Sequence, residues 1–129
     1  MSHKVLVVDD SLASARQLTK LLNGLGEYEV VGHARDGAEG VKMFQQLEPD
    51  LVMMDMVMPK MDGLTSLRTV LMLQPKAKVV VVSSMGGVGA KVEEAMRLGA
   101  SYVISKPFEA KTIQKVLDGL FPCTEQAEE

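Results

Sequence analysis

Val5-Leu6-Val7-Val8-Asp9-Asp10 decides the fold: four consecutive apolar residues run straight into two carboxylates. An apolar run of this length, rich in β-branched residues, reads as a strand covered on both faces. Three further runs have the same form. Leu51 to Met54 ends in Asp55, Val79 to Val82 in Ser83-Ser84, and Tyr102 to Ile104 leads to Lys106-Pro107. Strands covered on both faces require helices on both sides of a parallel sheet. In such sheets ligands bind outside the carboxyl ends of the strands, so three carboxylates, a hydroxyl and an ammonium would share one edge.

Between these runs the apolar spacing becomes helical. Leu18, Leu21, Leu22 and Leu25 recur at i, i+3, i+4 and i+7, the face of a core helix that Gly24 and Gly26 would stop. Tyr28 to Ala34 reads as a further strand around Val30 and Val31. Asp36 with Glu39 forms a capping pair for a helix that buries Val41 and Phe44, and Pro49 closes it. Leu64, Leu67 and Leu71 mark another helix; Val92, Ala95 and Met96 a fourth; Ile113, Val116, Leu117 and Leu120 a fifth. The pattern is (βα)5, an α/β doubly wound parallel sheet of five strands.

The chain has 129 residues, enough for one domain with a real core and too few for two ordinary ones. The expected division is a domain over residues 1–121 and a short polar tail over 122–129. A net charge of −3 with both signs interspersed offers no basic stripe, which argues against direct nucleic-acid binding. The single cysteine, Cys123, cannot form an internal disulfide and reads as an inert tail residue. The N-terminus enters a strand after one lysine, and no apolar stretch approaches a membrane span. A cytoplasmic protein without signal peptide or membrane insertion is the expectation.

The residues at the sheet edge have a chemical rationale. Two adjacent carboxylates and a third nearby repel by ~4 kcal/mol per pair at ~4 Å and an effective dielectric near 20. A hard divalent cation offsets this, and Mg2+ is the usual choice where a phosphoryl group supplies a ligand. A carboxylate can also act as nucleophile and form an acyl phosphate. Lys106 would supply a point charge to one phosphoryl oxygen and the Ser83 hydroxyl a donor to another. Singly, Asp9-Asp10 also suits a helix cap, Asp55 a solvated strand end and Lys106 a surface cation; jointly they favour phosphoryl chemistry. The methionines Met53, Met54, Met56, Met58 and Met61 read as adaptable packing, and His3 and His33 as ordinary surface or strand-end histidines. Gly86-Gly87-Val88-Gly89 lacks the endings of nucleotide-binding loops and reads instead as a segment able to change conformation.

Over Lys4 to Leu120 the chain resembles the receiver domain of two-component response regulators. The resemblance rests on Asp9-Asp10, on Asp55-Met56-Val57-Met58-Pro59-Lys60-Met61-Asp62-Gly63, on Ser83, on Gly99-Ala100 and on Lys106-Pro107-Phe108. It, and not the spacing, supplies the flavodoxin-like strand order 2-1-3-4-5. It implies that Asp55 accepts a phosphoryl group from a histidine kinase or from acetyl phosphate. Asp10 would bind Mg2+ directly and Asp9 through water, with Asp55 and the Val57 carbonyl among the ligands. Lys106 would pair with the phosphoryl group, Ser83 would move toward it, and the Lys106-Pro107 bond would be cis. Catalysis would be confined to the protein's own phosphorylation and dephosphorylation, so no enzyme acting on a separate substrate is expected. An effector protein would dock on the face of the fourth helix, fifth strand and fifth helix, with Lys91, Tyr102, Lys111 and Lys115 as contacts.

The chain also departs from the receiver pattern. Receivers carry Tyr or Phe three residues before the site lysine; that position is Val103, and Tyr102 precedes it. One residue along a strand reverses the face, so the switch would rest on Ser83 and the glycine loop. In related receivers the residues two after the acceptor and two after the hydroxyl tune phosphate loss; here they are Val57 and Met85, both apolar, so the resemblance implies slow loss of phosphate. The run from Met58 to Arg68 and the Ser83-Ser84-Met85-Gly86 turn resemble receivers of chemotaxis systems, including those joined to methylesterases. The alternative is a receiver excised from the N-terminus of a larger regulator, such as a chemotaxis methylesterase or a transcription factor. An aspartyl-phosphate hydrolase is disfavoured because Met56-Val57 follow Asp55 where Asp-x-Asp is needed, and the full acidic set argues against a receiver that is never phosphorylated.

Overall fold

The computed structural model describes residues 3–56, 63–83, 90–105 and 109–121, with the backbone alone at 63, 90–92 and 105. Five strands alternate with five helices: β1 (His3–Val8), α1 (Leu12–Leu25), β2 (Tyr28–Ala34), α2 (Gly37–Leu47), β3 (Leu51–Asp55), α3 (Gly63–Leu73), β4 (Lys78–Ser83), α4 (Ala90–Leu98), β5 (Tyr102–Ser105) and α5 (Ala110–Leu120). All pairings are parallel and the order is β2-β1-β3-β4-β5. The (βα)5 reading and the borrowed strand order both hold.

Side-chain alternation divides the core. Val5, Val7, Met53, Val80, Val82 and Ile104 face α1 and α5, where Leu18, Leu22, Ile113 and Leu117 meet them. Leu6, Val8, Val52, Met54, Val79 and Val81 face the other way, toward Leu67 and Val70 of α3 and Ala95 of α4. The central strands β1, β3 and β4 therefore bury both faces, the reason their sequences show no polar alternation.

Local signals position the helices. Ser11 caps α1 by accepting from the Ser14 N–H, and Gly26 ends it in the left-handed region at φ 84°. Asp36 accepts from the Glu39 N–H, while Glu39 accepts from the N–H of Arg35, one residue before the cap, a displaced version of the expected reciprocal pair. Gly99, at φ 121°, turns the chain out of α4 into the short connection to β5.

Two expectations about helix faces require correction. Val41 and Phe44 are half-buried; the fully buried positions of α2 are Gly37 and Gly40. At Gly40 a Cβ would stand 3.0 Å from both Val8 methyl groups, so the helix rests on β1 through its backbone. Met96 is 44% exposed because Ala95, one step round the helix, takes the core position. The 122–129 tail and Cys123 lie outside the described residues.

Among the described residues, β2 contains the one irregularity in the strand registers. Val5 pairs with Val30, but Leu6 pairs with Gly32, leaving Val31 as an extra residue. Such a bulge reverses the facing of everything after it relative to an unbroken strand.

Candidate functional site

The site is built where β1, β3 and β4 end. Asp9 follows the last residue of β1, and its N–H donates to the Ala34 carbonyl at 2.9 Å, which ties it to the end of β2. Its Oδ1 accepts the Ser11 N–H at 2.8 Å, an Asx-type turn that starts α1. Asp9 is buried at 3% exposure, whereas Asp10, next in the chain, is exposed. Asp55 ends β3 at 8% exposure, paired in register with Val82. Ser83 ends β4, buried beside Asp55's strand and paired with Ser105 of β5.

One carboxylate oxygen from each of Asp9, Asp10 and Asp55 lies within 4.8 Å of the others. Three hard oxygen donors at this spacing, two of them shielded from water, fit a small divalent cation. With one Asp9 oxygen engaged by the Ser11 amide, the exposed Asp10 is the less committed of the adjacent pair. Lys106, Pro107, Phe108, Val57, Met58, Met61, Ser84, Met85 and the Gly86–Gly89 segment lie outside the described residues, as does the side chain of Lys91.

Tyr102 and Val103 occupy opposite faces of β5. Tyr102 is 50% exposed and borders a groove with Thr112, Lys115 and Val116 of α5, while Val103 packs into the core shared with α3 and α4. The offset noted in the sequence thus corresponds to a real change of side. Lys111 and Lys115 are exposed on α5.

His33, read from the sequence as an ordinary surface or strand-end histidine, instead reaches the site: its Nε2 lies 2.8 Å from the Asp9 carbonyl oxygen. No pattern in Tyr28–Ala34 could have found it, because the bulge at Val31 decides which way it faces. Ser66 was also missed: fully buried, it donates from Oγ to the Gly37 carbonyl at 3.2 Å and joins α3 to α2.

Residues 5–118 match the Response regulator receiver domain family. The CheY chemotaxis protein of Thermotoga maritima is 37% identical over 118 residues, 92% of this chain and 97% of that protein. A protein-glutamate methylesterase/protein-glutamine glutaminase of Geobacter sulfurreducens is 46% identical over 104 residues, 81% of this chain, but the chain spans 28% of that protein's length. Among solved structures, a chain of the CheX-CheY-BeF3-Mg2+ complex from Borrelia burgdorferi superposes with a TM-score of 0.86 at 30% identity, covering 92% of this chain and 89% of that one. The response regulator domain of Thermotoga maritima CheB gives 0.78 at 35% identity, covering 98% and 96%.

Proposed function

The chain belongs to the response regulator receiver domain family, and we propose that it is a phosphorylation-dependent signalling module whose phosphoacceptor is Asp55. The observation that carries this reading is the convergence of Asp9, Asp10 and Asp55 within 4.8 Å beside the end of β4, where Ser83 stands. In the proposed chemistry the Asp55 carboxylate attacks a phosphoryl group and forms an acyl phosphate as the donor's leaving group departs. Asp10 directly and Asp9 through water, together with Asp55 and the Val57 carbonyl, would hold Mg2+. When bound, that ion neutralises the carboxylates and draws charge from the phosphoryl oxygens. Ser83 donates to one phosphoryl oxygen and Lys106 binds another, so the site reports its own modification.

The donor is a histidine kinase of the cytoplasm or a small acyl phosphate, and the output is a change in affinity for an effector protein. No enzymatic turnover of a separate substrate is part of this reading. Among the described residues no helix is long and apolar enough to cross a membrane. The effector face is formed by α4, β5 and α5, where Met96, Tyr102, Lys111 and Lys115 are each exposed. A second reading is favoured by the methylesterase match: the same receiver would act as the regulatory portion of a longer chain.

Incubation with radiolabelled acetyl phosphate and Mg2+ tests the assignment. Wild type is expected to label and Asp55→Asn is not, and chelation of Mg2+ is expected to abolish the signal. With beryllofluoride as phosphoryl analogue, amide resonances of Tyr102, Lys111 and Lys115 are expected to shift. Labelling of Asp55→Asn would overturn the acceptor, and shifts that spare those residues would overturn the face.

A further inference from the structure

We propose that His33 is a positioning residue for the acidic pocket: its imidazole holds the Asp9 carbonyl and so sets the plane of the Asp9-Asp10 peptide from which both carboxylates project. The inference rests on the reading of Asp9, Asp10 and Asp55 as a divalent-cation site. A carbonyl oxygen can only accept, so the His33 Nε2, 2.8 Å away, carries the hydrogen. The peptide unit is planar, so fixing the Asp9 oxygen also fixes the direction of the Asp10 N–H and the path into Asp10.

Two bonds from β2 therefore clamp Asp9 on either side of its Cα. Its N–H donates to the Ala34 carbonyl, and its C=O accepts from the neighbouring His33 side chain. β2 ends at Ala34 and the chain turns into the Asp36 cap of α2, so the ring takes over where the strand stops. The Ser11 N–H then fixes the Asp9 carboxylate itself. Asp10 is exposed and has no comparable burial to hold it, which makes the orientation of the preceding peptide its main constraint.

The bulge at Val31 makes this contact possible. If β2 continued without it from the Val5–Val30 pair, His33 would stand opposite Val8 and face α2. With the extra residue it stands opposite Val7 and faces α1, half-buried in a groove of about 630 Å3 with Ala15, Thr19 and Val31. Bulges beside functional sites commonly re-aim a side chain in this way.

The test uses the full chain, isotopically labelled, with His33→Phe and His33→Ala as variants lacking the donor and His33→Gln as one that keeps it. In chelator, the Phe and Ala variants are expected to move the Asp9 carbonyl-carbon and Asp10 amide resonances. Titration with Mg2+ is expected to show affinity reduced about tenfold in both, the scale typical of removing a group that orients a metal ligand, with Gln restoring most of the loss. Thermal melts identify any variant that does not fold, and the remaining donor-free variant then decides. Wild-type Mg2+ affinity in a folded Phe or Ala variant whose Asp9 carbonyl has moved would overturn the positioning role alone, as would Gln binding as weakly as Ala. Failure of the wild type to bind Mg2+ would overturn the cation reading and this role with it.

Discussion

At the residue scale, Asp9 and Asp10 are chemically identical neighbours with different attachments. Asp9 is buried and committed through one oxygen to the Ser11 amide, while Asp10 reaches the same pocket from the solvent side. Two unit charges at ~4.8 Å repel by ~1 kcal/mol at the dielectric of water and ~3.5 kcal/mol at a dielectric of 20, and exposure puts Asp10 near the lower figure. Asp10→Asn is therefore expected to raise the melting temperature in chelator by roughly 4 °C. Saturating Mg2+ should reverse the order, because a ligand that binds only the folded state stabilises in proportion to its affinity, and the variant binds it less tightly. Asp9→Asn keeps a carbonyl oxygen for the Ser11 N–H but loses the charge that strengthens that bond, so it should gain less in chelator. Melts in both buffers check the pattern, and an Asp10→Asn protein that melts below wild type in chelator would contradict it.

At the element scale, α2 packs closely on β1 because Gly40 carries no side chain. Gly40→Ala should gain about 1 kcal/mol in helix propensity, but its methyl meets Val8, whose branched side chain is fully buried and stiff in χ1. Overpacking of this kind costs typically ~1–3 kcal/mol. Urea denaturation should show a net loss of about 1 kcal/mol for Gly40→Ala, turning into a gain when Val8→Ala makes room. An equal effect in both backgrounds would show that the helix can lift away. The runs of β1, β3 and β4 were legible because burial on both faces leaves an unbroken apolar signature, and the helices because burial of one face leaves a 3.6-residue period. For the same reason the positions of Asp9, Asp55 and Ser83 could be read as strand ends before their distances were known. Helix faces were less legible: Met96 and Ala95 differ by one step of rotation, and only packing against the sheet decides which turns inward. Strand order came from family resemblance, since parallel pairing leaves no mark in spacing. His33 was illegible because its facing depends on a register shift against β1.

At the scale of the whole molecule, the two half-cores are separated by the sheet, and every strand pairing joins segments distant in sequence. Long-range parallel pairing is slow to form and leaves strand edges open during folding. In the finished fold β2 and β5 are the outer strands of the sheet. β5 spans only four residues, whereas β2 spans seven and is the longer template for another chain. The extra residue at Val31 interrupts that template halfway, bending the strand and spoiling its match to a straight partner. Its second consequence is colloidal. Deleting Val31 would keep Gly32 opposite Leu6 and His33 opposite Val7, yet leave the outer edge regular. Light scattering during mild heating should then record earlier association for the deletion protein than for the wild type at equal concentration, whereas matching onsets would mean that the edge is guarded by something other than the bulge. A single inserted valine would thus govern how long the protein stays dispersed, while its removal leaves His33 aimed at the pocket as before.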